Sequence, residues 1–497
     1  MKPYKDPDAC FHQYNCAMDE IKDFNIIQSN TNNPILNLRK ALPEQAPDIK
    51  FFESSAKPLI IFSQTLLFPV ILLANSLSQF LVNLLRQIFQ NRSEMEIINS
   101  RYLFLTHLTE SPITGELEDT YLSIMSRSEA LRESSTKIFL PHGILNIDGK
   151  KSPNHDVVLM RSIHLIKMFR IQSINSAIAL KMLTIALVAR DLSLNARLLL
   201  TMAAKRQAHR SCIYDLVVAE HCIRLVKNTC AKVFISTYEG HPFEITTIKK
   251  LRETYPDLII LAYQHAPIVN SQKGFFRGLD YFLGETYLLT TGEIPKQIVI
   301  SKVAAMKGKT FVLGSKKNLG RKVCVSDEKF RKLSRILLAP EASVDAIYEL
   351  LRNSQDLLQE NRGTIFMRLH PRIKSKDLIQ ELEEKFKRIQ FSFEESLFVD
   401  LLSAEKCVYR SSAVGLQAMQ LGVIPLYRSD FSQKMLDPLY LVSQVHGYGN
   451  ISQIIFNFQN GDLPDLQIRN AILKIVEIGN AYFEKTNAKT LNWISQF

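Results

Sequence analysis

The chain has one tryptophan in 497 residues and no two cysteines in CxxC spacing. Its seven cysteines (Cys10, Cys16, Cys212, Cys222, Cys230, Cys324 and Cys407) are scattered and odd in number. That pattern excludes a disulfide framework and a zinc ribbon, and it fits a reducing compartment. Several signatures that announce a chemistry are also missing: a GxSxG elbow, a Walker GxxxxGK[ST] loop, an HExxH helix and a GxGxxG turn after the first strand. No zinc-finger spacing or RNP-type aromatic strand is present and the basic residues are dispersed, so no nucleic-acid partner is expected. Lys2 and Lys5 are not followed by the apolar stretch of a secretory signal. The expectation is a cytoplasmic protein, peripheral on the cytoplasmic face of the inner membrane if something anchors it.

What is present is an ordinary globular composition: 46% hydrophobic, 22% charged, with 18 Gly and 19 Pro. This length exceeds what one hydrophobic core supports, so at least two domains are expected. An excess of 61 Lys+Arg over 49 Asp+Glu gives a net charge of +12, a field that attracts phosphate groups or an anionic membrane surface. Residues 58–85 carry no formal charge, but Gln64, Asn75, Gln79 and Asn83 interrupt them. Polar groups are costly in lipid, so helices lying in the membrane interface or buried in the first domain suit this text better than a span. Residues 1–94 are set aside as an N-terminal region containing this segment.

From Arg101 onward, short β-rich runs alternate with helical text. YLFLTHL (102–108), KIFLPHG (137–143), AKVFIST (231–237) and DLIILAYQH (257–265) are predicted strands, with a long helical region over Val157–Lys227 and a helix over Thr246–Glu253. A second series begins near Lys296: QIVIS (297–301), KTFVLG (309–314), RILLAP (335–340), TIFMRL (364–369), IQFSF (389–393), KCVYR (406–410) and VIPLYR (423–428). Helices over Val344–Glu360, Lys376–Lys387 and Ala413–Leu421 separate the later strands. Such alternation implies parallel sheets with right-handed crossovers, an α/β chain of two doubly wound, Rossmann-like domains. The glycine-rich text between Gln272 and Lys296 sets the boundary. The resulting division is 95–290, 291–465, and C-terminal helices over 466–497 that return toward the first domain.

Ligands of open α/β sheets bind beyond the carboxyl ends of the strands, which singles out YEG (238–240), QHAP (264–267), RLHPR (368–372) and RSSA (410–413). At the first of these, Glu239 is either a proton acceptor or a helix-entry carboxylate complementing the following helix, with Gly240 giving a tight turn. Pro371 holds His370 extended at a strand tip, where an imidazole could bond or protonate a departing phosphate; a structural hydrogen bond is the plainer reading. His241–Pro242 repeats the dipeptide and reads as a helix start. Ser412 reads as an N-cap of a helix closed by Gly422, and with Ser411 as a phosphate cradle.

Taken in order, carboxylate-Gly (Glu239–Gly240), His-Pro (His370–Pro371) and Ser-Ser (Ser411–Ser412) resemble the motifs of bacterial sialyltransferases and polysialyltransferases of GT-B fold. The wider text, including YEGHPFE and RSSAVGLQAMQLGVIPLY, resembles bacterial surface-carbohydrate biosynthesis enzymes that build lipopolysaccharide or capsule. Tyr238 stands where the sialyltransferase motif has a first acidic residue. The resemblance spans about Arg101 to Ser429. It implies two Rossmann-like domains facing a cleft, the first for the acceptor and the second for the donor. It further implies an inverting, metal-independent glycosyltransferase without a cofactor, whose donor is a CMP-activated acidic sugar such as a nonulosonic acid or Kdo. Glu239 would then be the base, His370 the acid or phosphate ligand with Pro371 beside it, and Ser411 and Ser412 would hold the phosphate. Gly240, His265 and Glu341 would line the cleft. The partners implied are a nucleotide sugar, a glycan or lipid-linked glycan acceptor, and an anionic inner-membrane surface. Two alternatives stay open: a UDP-sugar or CDP-glycerol-type transferase of the same fold, and a non-catalytic membrane-peripheral binding protein.

Overall fold

The computed structural model describes residues 16, 100–110, 117–119, 121–126, 128–132, 135–140, 157–159, 165–189, 191–207, 210–320, 335–360, 363–371, 373, 375–392, 396–430, 433–460 and 465–497. Segment 58–85 and the expectations attached to it lie outside these residues. Among the described residues, no helix is long and apolar enough to cross a membrane. The chain divides into two compact units. Of the described residues, one gathers those up to His265 with Gln272–Leu289 and Ala488–Phe497, and the other holds Ala266–Ser271 and the described part of Thr290–Asn487.

The first unit is built on a parallel sheet. Its strands are β1 (Tyr102–Glu110), β2 (Leu117–Asp119), β3 (Ser135–Leu140), β4 (Val157–Leu159), β5 (Val233–Thr237), β6 (Ile259–Tyr263) and β7 (Thr286–Thr290). Across this unit the order is β4-β3-β1-β5-β6-β7, with β2 antiparallel on β1. Setting β2 aside, that is third, second, first, fourth, fifth, sixth, the doubly wound order whose direction reverses between β1 and β5. Residues 102–105 and 233–237 are buried, as strands covered on both faces require. Helices α1 (Leu165–Val188), α2 (Leu194–Gln207) and α3 (Arg210–Thr229) connect β4 to β5, and α4 (Pro242–Thr254) connects β5 to β6. The single helical region expected over 157–227 is therefore a strand followed by three helices. The glycine-rich text expected to be loop contains β7, whose TYLLT run is too short to stand out among its flanking glycines.

The second unit contains β8 (Thr310–Val312) and a five-stranded parallel sheet. That sheet comprises β9 (Ile336–Leu338), β10 (Ile365–Met367), β11 (Ile389–Phe391), β12 (Lys406–Tyr409) and β13 (Ile424–Tyr427), ordered β11-β10-β9-β12-β13. Here the order reverses between β9 and β12. Leu337, Phe366, Cys407, Ala418, Leu421 and Val423 are buried together as its core. QIVIS, expected as a strand, lies inside helix α5 (Glu293–Lys302). The buried residues Ile294, Pro295, Ile298 and Val299 follow helical spacing, and the Glu484 carboxylate accepts the Glu293 N–H at 2.8 Å. A β-branched run is a weak prior for strand when it fills one helical face. Helix α6 (Val344–Arg352) ends before the expected Glu360, and a separate short helix covers Gln355–Glu360.

Helices α7 (Lys376–Lys385), α8 (Leu397–Ser403) and α9 (Val414–Gln420) complete the crossovers. Gly422, at φ +71°, ends α9 as the sequence suggested. Its N–H reaches Met419 O and the Val423 N–H reaches Ala418 O, both at 3.0 Å, a Schellman closure. The chain continues through α10 (Pro438–Val442) to α11 (Asp465–Tyr482). The residues after α11 are stitched into their own unit: Ser315 N–H donates to Glu484 O, Glu484 N–H to Thr291 O, Asn487 N–H to Leu313 O, and Ile268 N–H to the Tyr482 hydroxyl. The last helix, α12 (Ala488–Ser495), belongs to the first unit, where the Tyr102 hydroxyl donates to Ser495 O at 3.3 Å.

Candidate active site at the strand ends

In the first unit the sequence at 237–244 folds into a strand end, a glycine turn and a helix head. Tyr238 continues the ladder from β5, its N–H donating to Tyr263 O at 2.7 Å. Its side chain is buried, donates to Phe275 O at 2.8 Å and packs on Phe275 and Phe282. The missing first acidic residue is thus a core tyrosine. Gly240 has φ +73°, and a Cβ there would lie 2.4 Å from the Phe275 Cα, so the turn requires glycine.

Glu244, not Glu239, makes the hydrogen bonds at the head of α4. Glu244, buried in the first turn of α4, accepts from the Glu239 N–H and the His241 N–H, each at 2.8 Å, and from the Thr237 hydroxyl at 3.2 Å. Those donors are satisfied by Glu244, and the Glu239 side chain turns elsewhere. Its Oε1 accepts from His265 Nε2 at 2.8 Å and its Oε2 faces His241 Nε2 at 3.2 Å. His265 reaches it by register. Thr237 pairs with Tyr263, so the residues two beyond each strand are level. Burial pushes the Glu239 carboxyl upward, but His265 and His241 outweigh it and hold the group well below the usual carboxylate range. The side chain keeps 23% exposure. Around it, Tyr121 lies on His265 with ring centroids 4.1 Å apart, His241 stacks on Phe243, and His107 meets the edges of Tyr121 and Phe243.

Sequence reasoning gave His241 only a helix-start role and missed Tyr121 and His107. The available signal was the spacing Glu239-Gly-His241, which puts an imidazole one turn residue from the carboxylate. Among the described residues no three His, Cys, Asp or Glu side chains form a group suited to a metal ion.

The second unit brings together most of the other residues named from sequence. Leu338 pairs with Met367 on one side and Val408 on the other. Glu341, His370 and Ser411 are each three residues beyond one of these aligned positions, on three adjacent parallel strands. Pro371 is exposed beside half-buried His370, whose carbonyl accepts from the Ile373 N–H at 2.8 Å and closes the turn. Arg368, between β10 and His370, is paired with buried Asp400 at 2.7 Å. Glu341, expected only to line a cleft, accepts the Ser411 N–H at 3.0 Å and the Ser411 hydroxyl, and pairs with Arg410 Nη1 at 2.7 Å.

Ser412 is not the N-cap. That position is Ala413, with no side-chain cap, because α9 begins one residue later than expected. The Ser412 Oγ is instead buried and makes no hydrogen bond. Ser412→Ala should therefore leave stability unchanged or raise it by up to about 1 kcal/mol, since it removes an unsatisfied buried hydroxyl. Urea denaturation checks this, and a loss of about 1 kcal/mol would restore the capping role.

No protein-family model matches the sequence, and no curated protein does. Solved structures resemble the chain only at low identity and low TM-score. The UDP-GlcNAc 2-epimerase of Neisseria meningitidis bound to UDP-GlcNAc is 9% identical, covering 80% of this chain and 99% of its own, at TM-score 0.41. The glycosyltransferase SnogD of Streptomyces nogalater is 11% identical over 80% and 99%, at 0.37. The calicheamicin glycosyltransferase CalG4 is 10% identical over 80% and 98%, at 0.45.

Proposed function

We propose that the chain is a GT-B glycosyltransferase that moves a sugar from a nucleotide donor to a hydroxyl acceptor, with Glu239 at the centre of proton removal. The observation that carries this reading is an ionised, partly exposed carboxylate at the β1/β5 reversal point, gripped by two imidazoles while Glu244 caps the helix. A carboxylate held this acidic is a weak base by itself. His265 and His241 orient the carboxylate toward the acceptor hydroxyl, so position rather than basicity makes it the proton acceptor. The acceptor O–H bond breaks toward Glu239, the oxygen bonds the anomeric carbon from the opposite face, and the bond from that carbon to the donor phosphate breaks. The leaving group departs as the nucleotide with inversion. His370, Ser411 and Ser412 are proposed to hold the phosphate.

A CMP-activated acidic sugar is the proposed donor and a surface glycan the proposed acceptor, supported by the order of the Glu-Gly, His-Pro and Ser-Ser motifs. In a thermal-shift comparison of free nucleotides, CMP is expected to raise Tm more than UDP or GDP, since a ligand of the native state stabilises it by mass action. A larger shift with UDP would assign the donor to the UDP-sugar class. No shift with any nucleotide would remove the transferase reading.

A further inference from the structure

Three donors in the second unit converge on one carboxylate. The loop after β9 brings Glu341 to the β9/β12 reversal point, where its Oε1 accepts the Ser411 N–H at 3.0 Å and the Ser411 hydroxyl, and its Oε2 pairs with Arg410 Nη1 at 2.7 Å. Arg410 does not need Glu341 to stay in place. Its Nε sits 3.1 Å from Glu349 Oε1, and that same oxygen accepts from the Ser429 hydroxyl at 2.5 Å and the Asp430 N–H at 2.9 Å. Three donors thus meet the Glu349 Oε1, and this carboxylate already pairs with the guanidinium. Side-chain exposure follows the same division: 8% for Arg410, 12% for Glu349 and 26% for Glu341. Glu341 is therefore a second carboxylate on one guanidinium, leaving the trio with an excess negative charge, and it is the partner with a route to solvent.

We propose that Ser411 and Arg410 form an anion seat for the phosphate of a nucleotide ligand, and that Glu341 is an internal place-holder that must yield the seat when the ligand enters. The chemistry of the exchange is matched. A carboxylate and a phosphate both present acceptor-only oxygens to a backbone N–H, a hydroxyl and a guanidinium, and these are the donors that bind either anion best. Position agrees with chemistry, because the seat lies at the strand-order reversal where open α/β sheets receive ligands. The nucleotide identity of the ligand rests on the function proposed above, whereas the seat itself rests only on these donors.

Calorimetric titration of the full-length protein with inorganic pyrophosphate and with CMP, in wild type, Glu341→Gln and Glu341→Asp, tests the proposal. Removing a competitor held by charge-assisted hydrogen bonds should tighten binding of both probes by about 10-fold or more in Glu341→Gln. The shorter carboxylate of Glu341→Asp should give a smaller gain. Melting temperatures recorded alongside confirm that each variant is folded. Unchanged or weaker binding by the folded variants would overturn the place-holder and make Glu341 a structural clamp on the turn. Tighter pyrophosphate binding without any binding of CMP would keep the seat and sink the CMP-nucleotide reading. CMP binding that is equal in all three proteins would keep that reading and sink the place-holder.

Discussion

Glu239→Gln should slow sugar transfer by about 10²–10⁴-fold while leaving nucleotide binding within a few-fold of wild type. The substitution keeps the shape of the side chain but removes the charge that two imidazoles are arranged to meet. An amide also places an N–H₂ against one of two imidazole N–H groups, so one histidine loses its acceptor. Because the Glu239 carboxyl is held below the usual range, its base form is fully populated at neutral pH, and the acid limb of its own titration lies below the ordinary glutamate value of about 4.3. Its contribution to stability has the matching sign, present above that value and lost as pH falls through the depressed folded pKa. The comparison therefore belongs at pH 7, with calorimetric nucleotide binding and Tm measured on the same preparations. Wild-type turnover by a folded Glu239→Gln protein would end the assignment of this carboxylate as the proton acceptor.

The largest expected gain in stability comes from Asp437→Asn. Asp437 heads α10, accepts the Leu439 N–H at 3.0 Å and the Tyr409 hydroxyl at 2.6 Å, and is buried. Burial pushes its carboxyl up to about 6, against the opposing pull of those two bonds. A carboxyl whose pKa rises on folding binds more protons in the native state, so stability declines as pH climbs from about 4 to about 6 and the full penalty persists above that. Asparagine keeps an oxygen for both donors and carries no charge. Below pH 4 the variant and wild type should be nearly equal. At pH 8 the variant should be more stable by about 1–3 kcal/mol, which corresponds to the shift of roughly two pKa units less the cost of placing the amide N–H₂. Urea denaturation at pH 4, 6 and 8 measures the difference, and an Asp437→Asn protein less stable than wild type at pH 8 contradicts it.

Much of the fold was legible because parallel strands covered on both faces write themselves as short apolar runs: ILL at β9, IFM at β10 and KCVY at β12 all stood clear of polar helices. QIVIS misled because its β-branched residues serve the buried face of α5, where tertiary packing outweighs local preference. The Glu-Gly, His-Pro and Ser-Ser positions were legible as strand-end residues, and their strands place them where a doubly wound sheet binds ligands. What each side chain does there was not. The choice between Glu239 and Glu244 as helix acceptor depends on which of two nearby carboxylates turns inward. The pairing of Glu341 with Ser411 depends on strands 70 residues apart in sequence being neighbours in space. Ser412 failed as a cap because α9 starts one residue late, a shift that serine-before-helix patterns do not resolve.

The stitching of Tyr482–Asn487 and the return of α12 bear on how the chain emerges during synthesis. Domains commonly fold in order as they leave the ribosome. Here Ile268 waits for the hydroxyl of Tyr482, 214 positions later, and Tyr102 waits for Ile494 and Ser495, nearly 400 positions later. The second unit lacks its contacts to Tyr482–Asn487 until that segment has been made, and the first lacks those to α12 until α12 has, so the first sheet is complete in sequence well before these contacts can form.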